Sequence, residues 1–400
     1  MKSFIKLDEA ISILDENTRS LEKERVSLID SIGKIAVDDI FSRIDNPPFN
    51  KSAMDGYALK VEDLMKFDKF KIIDEIFAGN VSKSIVESGT CMKIMTGAPI
   101  PIGADAVVKK EDVTVKDGFI VVNTKLKNNE NVCFKGEDIQ VGTTLINRGK
   151  KLDYADIGIL ASAGIDCVEV NRKPKVGFIS TGDEVIDVGM ELKEGKIFNS
   201  NKYSILGRLK ELGVDVTYIN HETDNFIEIG NKIKEAYLVS DIIVTTGGAS
   251  VGDKDLIKEA LDYIGGEKLF WKVLIKPGSA VLCSKLQNKL IISLSGNPTA
   301  ALTTFELLVR PVLEKLSGSK RVNINREKAI LRNDFLKSTK QQRFLRGCFS
   351  VDESGKYVEI TQVKSGNGIL SSALNSNCLV EIESGNDGVR TGDIVNIIKF

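Results

Sequence analysis

The sequence predicts a multidomain α/β protein whose central domain has three layers, with a mostly parallel sheet between helices. Three observations predict it. Residues 175–294 alternate strand-like and helical patterns. An earlier stretch, from about 68 to 148, carries short β-like segments and lies between two segments whose patterns predict helices. The last 80 or so residues hold five short strand-like segments, which predict a small β-barrel.

These patterns divide the chain into three regions. Residues 1–170 are predicted as a helical N-terminal region with an inserted β module at about 47–146, residues 171–318 as the central α/β domain, and residues 325–400 as the C-terminal β domain. Within the first region, residues 7–41 and 155–164 are predicted to be helical.

The central region alternates its elements in the way expected of a parallel sheet. Its strand-like runs are KVGFIS, VDVTYIN, DIIVTT, VLIKPG, AVLCSK and LIISLS. Apolar residues at helical spacing predict helices over 200–213, 225–239, 255–264 and about 298–316. Asp224 is placed to cap the second of these helices, and Asn297 with Pro298 to begin the last. This order predicts helices on both faces of the sheet.

Composition excludes several classes of function. The chain has 55 basic and 56 acidic residues, so no basic excess indicates nucleic-acid or anionic-membrane binding. No apolar run reaches the ~18 residues that cross a bilayer, and the N-terminal stretch is typical of an amphipathic helix rather than a signal peptide.

The cysteines and the single histidine also narrow the chemistry. The six cysteines are far apart and form no CxxC pair, which predicts buried free thiols in a reducing, cytoplasmic compartment. Zinc is disfavoured, and His221 is predicted to be a polar residue at a strand end rather than a catalytic base.

Glycines and carboxylates follow the predicted parallel strands at their carboxyl ends, where such sheets bind ligands. The segments are TGDE (181–184), HETD (221–224), GGASVGDKD (247–255) and GNP (296–298). Glycine lets the backbone approach an anion, and hard carboxylate oxygens suit Mg²⁺. Turns favour these residue types in any case, but their convergence on one edge predicts a site for a phosphate-bearing ligand and a metal ion.

Cationic residues in two segments could hold an oxyanion. Lys272 and Lys276 are four apart, so on one strand they would share a face. Solvated lysines on a sheet edge are an equally good interpretation. Arg343 and Arg346 follow later, and the planar arginine fork suits tetrahedral oxyanions.

The N-terminal region contributes three further segments. NPPFNKSAMDGYAL (46–59) contains Asp55, MTGAPIPIGADAVV (95–108) contains Thr96, and KGEDI (135–139) contains Asp138. Each alone fits a turn or a hinge.

Taken together and in order, these segments resemble the molybdopterin molybdenumtransferases, the MoeA proteins related to the E domain of gephyrin. The resemblance covers nearly the whole chain, and the combination of MDGYA, TGDE, GGASVG and SGNP is specific. It implies an elongated homodimer that inserts molybdate into adenylylated molybdopterin, with Mg²⁺-dependent cleavage of the adenylate to give molybdenum cofactor and AMP. A molybdopterin adenylyltransferase and apo-molybdoenzymes are possible partners.

The resemblance also implies residue roles. Glu184, Asp224 and Asp255 match carboxylates for metal and pyrophosphate handling, and Asp55, Thr96 and Asp138 match residues that face the cleft. The remaining matches are phosphate-loop residues Gly247, Gly248, Ser250 and Gly252, nucleotide- or pterin-side residues Ser295, Gly296, Asn297 and Pro298, and molybdate-side residues Lys272, Lys276, Pro277 and Arg346.

The chain departs from the family pattern at two places. Ser279-Ala280 stands where many members have Lys-Pro, and Asn367 stands where a hydroxyl residue is expected, with Ser365 or the Asn367 amide as substitutes. The choice between molybdate and tungstate is therefore open. Two other functions compete: a molybdopterin adenylyltransferase, which would not need the flanking regions, and a non-catalytic dimeric scaffold or peptide-binding module of the gephyrin E type, which would not need the strand-end carboxylates.

Overall fold

The computed structural model describes residues 1–248, 256–361 and 370–400. They form two compact units, one made of residues 1–24 and 171–400 and the other of residues 25–170. The predicted site residues Ser250, Gly252, Asp255, Ser365 and Asn367 lie outside the described residues.

Regular elements run along the whole described chain. The strands up to residue 171 are β1 (Lys2–Ile5), β2 (Lys23–Ser27), β3 (Ile40–Phe41), β4 (Lys51–Ser52), β5 (Gly56–Leu59), β6 (Phe70–Ile76), β7 (Thr90–Ile94), β8 (Ala106–Lys109), β9 (Val113–Lys116), β10 (Phe119–Val122), β11 (Val132–Cys133), β12 (Thr144–Ile146) and β13 (Cys167–Asn171). The strands of the central region are β14 (Lys175–Thr181), β15 (Val185–Ile186), β16 (Ile197–Phe198), β17 (Asp215–Glu222), β18 (Ile242–Thr246), β19 (Glu267–Val273), β20 (Ile275–Lys276), β21 (Leu282–Leu286) and β22 (Lys289–Leu294). The C-terminal strands are β23 (Glu327–Leu331), β24 (Gln342–Asp352), β25 (Gly355–Ile360), β26 (Cys378–Ile382) and β27 (Ile394–Lys399). The α-helices are α1 (Leu7–Glu16), α2 (Tyr154–Ser162), α3 (Ser200–Glu211), α4 (Phe226–Val239), α5 (Leu256–Ile264), α6 (Pro298–Thr304) and α7 (Arg310–Leu316).

The central sheet has seven strands in the order β1-β19-β21-β22-β18-β14-β17. Every neighbouring pair is parallel except the two pairs that β21 makes, which are antiparallel. The predicted mostly parallel sheet is therefore confirmed. Its first strand comes from residues 2–5, so the start of the chain completes this sheet.

Helices cover both faces of the sheet, as predicted for three layers. Strand alternation sends Phe178 and Val244 into one core with α1, α3 and the 298–316 helical segment, and Ile179 and Ile243 into a second core with α4 and α5. Each face of the sheet thus buries its own apolar layer.

The last helical segment is continuous from Pro298 to Leu316 but is not regular throughout. Residues Phe305–Val309 form a π-helical turn between α6 and α7. Pro311 follows this turn in the first turn of α7, where a missing N–H is tolerated. The sequence predicts a kink or break at this proline, and the wider turn lies directly before it.

The C-terminal strands close into a small barrel, as predicted. The order is β24-β25-β23-β27-β26, and β24 also pairs with β26 to close the circle. β20 joins the outside of β24 in parallel, with Lys276 opposite Arg343.

The unit of residues 25–170 holds a six-stranded sheet, β8-β5-β7-β6-β10-β9, which is the predicted β module. Helix α2 begins at a capping box in which Asp153 and Asp156 bond each other's backbone N–H groups.

Some local predictions were wrong. The helix predicted over 7–41 ends at Glu16, because Lys23–Ser27 alternates exposed and half-buried residues and pairs as a strand with β13. All six cysteines are free, as predicted, but only Cys91, Cys283 and Cys378 are buried. Within the described residues, no helix combines the length and apolarity that crossing a membrane requires.

Candidate functional site

Three parallel strands bring their glycine-bearing ends together at the carboxyl edge of the central sheet. A Cβ on Gly247 would lie 2.3 Å from the carbonyl oxygen of Thr181, and one on Gly296 would lie 3.6 Å from the Cα of Gly247. Gly247 also has φ +94°, in the region that disfavours side chains. The segments after β14, β18 and β22 therefore pack backbone against backbone, which places the predicted glycines side by side.

Carboxylates line the same edge. Asp183, Glu184 and Asp224 are all exposed to solvent. The carboxylate of Asp183 accepts a hydrogen bond of 3.1 Å from the backbone N–H of Asp224. Acidic residues from the ends of β14 and β17 thus meet, as the strand order predicts.

The capping role predicted for Asp224 was wrong. Asn225 caps α4, and its amide oxygen accepts from the backbone N–H groups of Ile227 and Glu228 at 3.0 and 3.3 Å. Asn225 has an extended backbone, which lets its short side chain turn back onto the first turn.

A metal site of three protein ligands is not complete in the described part of the chain. No group of three or more His, Cys, Asp or Glu side chains there is placed to hold an ion. Two of the predicted ligands, Glu184 and Asp224, are described, and the third, Asp255, is not. The available donors are hard carboxylate oxygens, which fit Mg²⁺ in type.

Two helices begin beside Gly296. Asn297 caps α6 by accepting from the N–H groups of Thr299 and Ala300, as predicted, and Pro298 takes the first helical position. Asn201, in the first turn of α3, donates to the carbonyl oxygen of Gly296 at 2.8 Å. The two helix N-termini make this corner favourable for an anion.

Two buried polar atoms at this corner have no hydrogen-bond partner among the described residues: Oδ1 of Asn201 and Oγ1 of Thr299. Sequence reasoning missed both residues. The signal for Asn201 was the Asn-Ser-Asn stretch at 199–201 directly before an apolar helical pattern, where Asn199 caps α3.

The lysine pair does not share one strand. Lys272 lies near the end of β19, has φ +64°, and places its Nζ 4.1 Å from the centroid of the Trp271 ring and 4.8 Å from that of Phe4. Lys276 lies on β20, which pairs with the barrel, and is exposed. The prediction of one common strand face was wrong, because the left-handed residue breaks the alternation on which it depended.

The turn after Lys276 packs on α6. A Cβ on Gly278 would lie 2.4 Å from Cγ2 of Thr304 and 3.3 Å from the carbonyl oxygen of Ala300. Lys276 and Pro277 are thereby held between the central domain and β24 of the barrel.

Arg346 is buried, with 6% of its surface exposed, whereas Arg343 is half-buried on the opposite face of β24. The odd spacing of three residues explains the difference. Burial lowers the pKa of Arg346, although the negative charge of Glu306 opposes this. Its guanidinium carbon lies 5.2 Å from the ring centroid of Phe400.

The three N-terminal segments meet inside the unit of residues 25–170. The backbone of residues 46–53 bonds to Ala98 and Ile100 on one side and to Asn131 and Ile139 on the other. Backbone pairing therefore brings the three segments together.

Asp55 and Thr96 are directly bonded in that unit. The carboxylate accepts from the backbone N–H of Thr96 at 2.9 Å and from its hydroxyl at 2.8 Å. These two hydrogen bonds lower the pKa of Asp55, with a smaller contribution from Lys110. Asp138 is exposed and accepts a hydrogen bond of 3.1 Å from the side chain of Asn46.

A cavity of about 870 Å³ lies at the other end of the central strands, where β18 and β22 begin. Arg172 in its wall is bound by Asp241 at 2.6 and 2.8 Å and by Glu22 at 2.6 Å. His221, on β17, lies 3.1 Å from the hydroxyl of Ser180. The cavity lies away from the carboxyl edge, whereas Ser180 and His221 lie next to the last residues of β14 and β17 at that edge.

Comparison with known families accounts for nearly the whole chain. Residues 5–164 match the MoeA N-terminal region (domain I and II), residues 177–315 match a probable molybdopterin binding domain, and residues 328–400 match the MoeA C-terminal region (domain IV).

Full-length relatives and solved structures agree. The molybdopterin molybdenumtransferase of Staphylococcus epidermidis is 34% identical over 402 residues, covering 98% of this chain and 95% of the relative. That of Haemophilus influenzae is 35% identical over 407 residues, covering 98% of each. The crystal structure of the molybdopterin biosynthesis MoeA protein from Pyrococcus horikoshii has a TM-score of 0.84, 30% identity and 99% coverage of both chains. The chain belongs to the MoeA family of molybdopterin molybdenumtransferases, enzymes of molybdenum cofactor biosynthesis.

Proposed function

We propose that this enzyme inserts molybdate into adenylylated molybdopterin and cleaves the adenylate, giving molybdenum cofactor and AMP. The observation that supports this most is the close approach of Thr181, Gly247 and Gly296 at one sheet edge. That edge offers bare backbone and two helix N-termini to a phosphate, with exposed carboxylates beside them.

The carboxylates form the acidic side of the proposed site. Glu184 and Asp224, with Asp255, would hold Mg²⁺, because carboxylate oxygens are ligands that this ion prefers. When bound, Mg²⁺ supplies charge stabilisation to the phosphate oxygens. Asp183 supports this side, since its carboxylate fixes the backbone of Asp224.

The glycines and helix N-termini form the phosphate side. The backbone at Gly247 and Gly248, with Ser250 and Gly252, would cradle the pyrophosphate. Residues 295–298 would hold the nucleotide or pterin side, where Asn297 fixes the start of α6. Orienting both ligands in one place removes much of the entropic cost of their encounter.

The cationic residues would receive molybdate. Lys276, Pro277 and Arg346 all lie on elements that contact each other, namely β20, its following turn and β24. Lys272 would join them by moving its ammonium group away from the Trp271 ring. Water would attack the phosphoanhydride bond and release AMP. The two dithiolene thiols would give their protons to one molybdate oxygen, which leaves as water as the two Mo–S bonds form.

We propose catalytic roles for Asp55, Thr96 and Asp138 of the unit of residues 25–170. The hydrogen bonds from Thr96 keep Asp55 ionised and fixed in direction. We further propose a cytoplasmic homodimer that receives its substrate from an adenylyltransferase and delivers cofactor to apo-molybdoenzymes.

Two other functions make different predictions. A molybdopterin adenylyltransferase would consume ATP with free molybdopterin. A non-catalytic scaffold of the gephyrin E type would bind peptides and release no AMP. The exposed carboxylates at the sheet edge favour the transferase, because a scaffold has no use for them.

The test is AMP release from adenylylated molybdopterin and Mg²⁺, with and without molybdate. Molybdate-stimulated release, with product that activates an apo-molybdoenzyme, is the expected result. Tight binding of molybdopterin without release would contradict the proposal and favour a carrier or scaffold. ATP consumption with free molybdopterin would favour the adenylyltransferase.

A further inference from the structure

Glu306 is a buried carboxylate in the π-helical turn between α6 and α7, with only 4% of its surface exposed. Its Oε1 accepts a hydrogen bond of 2.7 Å from Nε of Arg208, and its Oε2 lies 3.1 Å from Nε of Arg310. A carboxylate at this depth is stable only when it is paired. The guanidinium group of Arg208 pairs with it through a hydrogen bond, and that of Arg310 lies at ion-pair distance without hydrogen-bonding it.

Both of these arginines have further acceptors. Arg208 donates to the carboxylate of Glu211 at 2.9 Å, and Arg310 donates to the backbone carbonyl of Lys399 at 2.7 Å. Burial alone would lower the pKa of Arg208, but the hydrogen bond with Glu306 reverses this and the pKa is raised. Arg208 and Arg310 are thus held by internal acceptors.

Arg346 is bonded differently. Its side chain faces the same helical segment, because Phe344, two residues earlier on β24, packs in one core with Phe305. Within the described part of the chain it donates one hydrogen bond, 3.3 Å long, to the hydroxyl of Ser376, and no carboxylate pairs with it. A buried guanidinium with one neutral partner has donors left for an anion.

The charges of this cluster act on one another. The guanidinium carbons of Arg208 and Arg346 lie 5.9 and 5.2 Å from the centroid of the same Phe400 ring. At this range and burial, the charge of Glu306 is felt at Arg346, as is the opposing charge of Arg208.

We propose that Glu306 is an internal counter-anion that neutralises Arg208 and Arg310 and leaves Arg346, which pairs with no carboxylate of the described residues, for the substrate oxyanion. Glu306 is a positioning residue, since it touches the arginines and not the substrate. Glu306 keeps the affinity of Arg346 for a dianion moderate, because its own negative charge repels the charge of the bound dianion. The inference rests on the proposed function, because it takes Arg346 as an oxyanion ligand.

The central experiment compares Glu306→Gln with Glu306→Asp by isothermal titration with molybdate at low ionic strength. Removing the charge is expected to tighten molybdate binding by about tenfold, and sulfate binding by a similar factor. Glu306→Asp keeps the charge and is expected to bind like the wild type. In turnover, Glu306→Gln is expected to lower KM for molybdate without raising kcat. Unchanged or weaker molybdate binding by a folded Glu306→Gln protein would overturn the inference.

Two arginine variants keep the test valid if Glu306→Gln does not fold. Arg208→Gln is expected to weaken molybdate binding by about tenfold, because it leaves the charge of Glu306 less neutralised. The double variant Arg208→Gln/Glu306→Gln keeps the net charge and is expected to bind nearly like the wild type. If all three proteins bind alike, the inference is wrong.

Arg346→Met separates this inference from the proposed function. If Arg346→Met binds molybdate as well as the wild type does, the oxyanion assignment itself fails. If Arg346→Met weakens binding but Glu306→Gln does not strengthen it, the role of Glu306 fails and the oxyanion assignment stands.

Discussion

The acidic and cationic sides of the candidate site are built in opposite ways. Glu184 and Asp224 are exposed carboxylates on loops after parallel strands. Arg346 is buried beside Glu306, and Lys272 lies against two aromatic rings. The acidic side depends on the strand ends below it. On the cationic side, Arg346 depends on packing between the barrel and the central domain, and Lys272 on two rings of the central sheet.

We propose that this difference reflects a division of labour, with bond cleavage on the acidic side and oxyanion recognition on the cationic side. Exposed carboxylates can change ligands and protonation with little cost to folding, which suits bond cleavage. The buried Arg346 is fixed in place before the ligand arrives, which suits recognition of an oxyanion. Substitutions on the acidic side should therefore lower kcat, whereas substitutions on the cationic side should raise the KM for molybdate.

The largest expected effect is on the acidic side. Glu184→Gln and Asp224→Asn should each reduce AMP release by at least about 100-fold, because they remove a charge that acts on the reacting phosphate. Thermal unfolding should stay near the wild-type midpoint, since both side chains are exposed. Glu191→Gln changes an exposed carboxylate of the following loop and is the matched control. Full activity in either site variant would show that the substituted carboxylate takes no part in the reaction.

The strand ends beneath the carboxylates should be far less tolerant. Gly247→Ala places a Cβ 2.3 Å from the carbonyl oxygen of Thr181 at a positive φ. Strain and overpacking together should destabilise the protein by about 3 kcal/mol or more.

Gly195→Ala is the matched control for that substitution. Gly195 also has a positive φ, but a Cβ there meets no atom of the described residues within 4 Å. It should cost only about 1 kcal/mol of backbone strain. Equal losses in urea unfolding would mean that backbone conformation, and not the close approach of the strands, restricts Gly247.

A smaller effect is expected at the two lysines. The one tryptophan of the chain, Trp271, has the ammonium group of Lys272 at 4.1 Å from its ring centroid. If molybdate draws Lys272 away, tryptophan emission should change on titration with molybdate, and Lys272→Met should abolish the change. Lys276→Met should keep the change while raising the molybdate concentration at its midpoint. Emission that molybdate leaves constant in the wild type would exclude the movement of Lys272.

The smallest effect concerns Asp55. Thr96→Val removes the hydroxyl donor but keeps the backbone N–H, so the pKa of Asp55 should rise part of the way toward its ordinary value. The folded-state pKa is depressed, so Asp55 stabilises the fold above its unfolded pKa and this is lost as pH falls through the folded value. The variant should therefore lose stability at a slightly higher pH on the acid side. Carbon-detected NMR titration measures the shift, with Thr124→Val, at an exposed position, as control.

The sequence predicted the backbone frame of the site well. Strands that end in glycine and then a carboxylate, as at Thr181–Glu184, carry both their hydrophobic pattern and their ligand chemistry within a few residues. The helix start at Asn297-Pro298 is equally local, because cap and proline act within one turn.

What the sequence did not predict depends on contacts between distant residues. The positive φ of Lys272 has no local signal, so its separation from Lys276 could not be anticipated. The local sequence does not distinguish Glu306 from an ordinary helix residue. Only the fold places it between Arg208 and Arg310. Asp224 and Asn225 are both good caps, and local sequence alone did not decide between them.

The most direct test of the division of labour is AMP release measured over a full range of molybdate concentrations for Glu184→Gln and Arg346→Met. Glu184→Gln should fail at every molybdate concentration, while Arg346→Met should recover near-normal AMP release at saturating molybdate with a KM raised by about tenfold or more. The same loss of kcat in both variants, with no change in the KM for molybdate, would contradict the account.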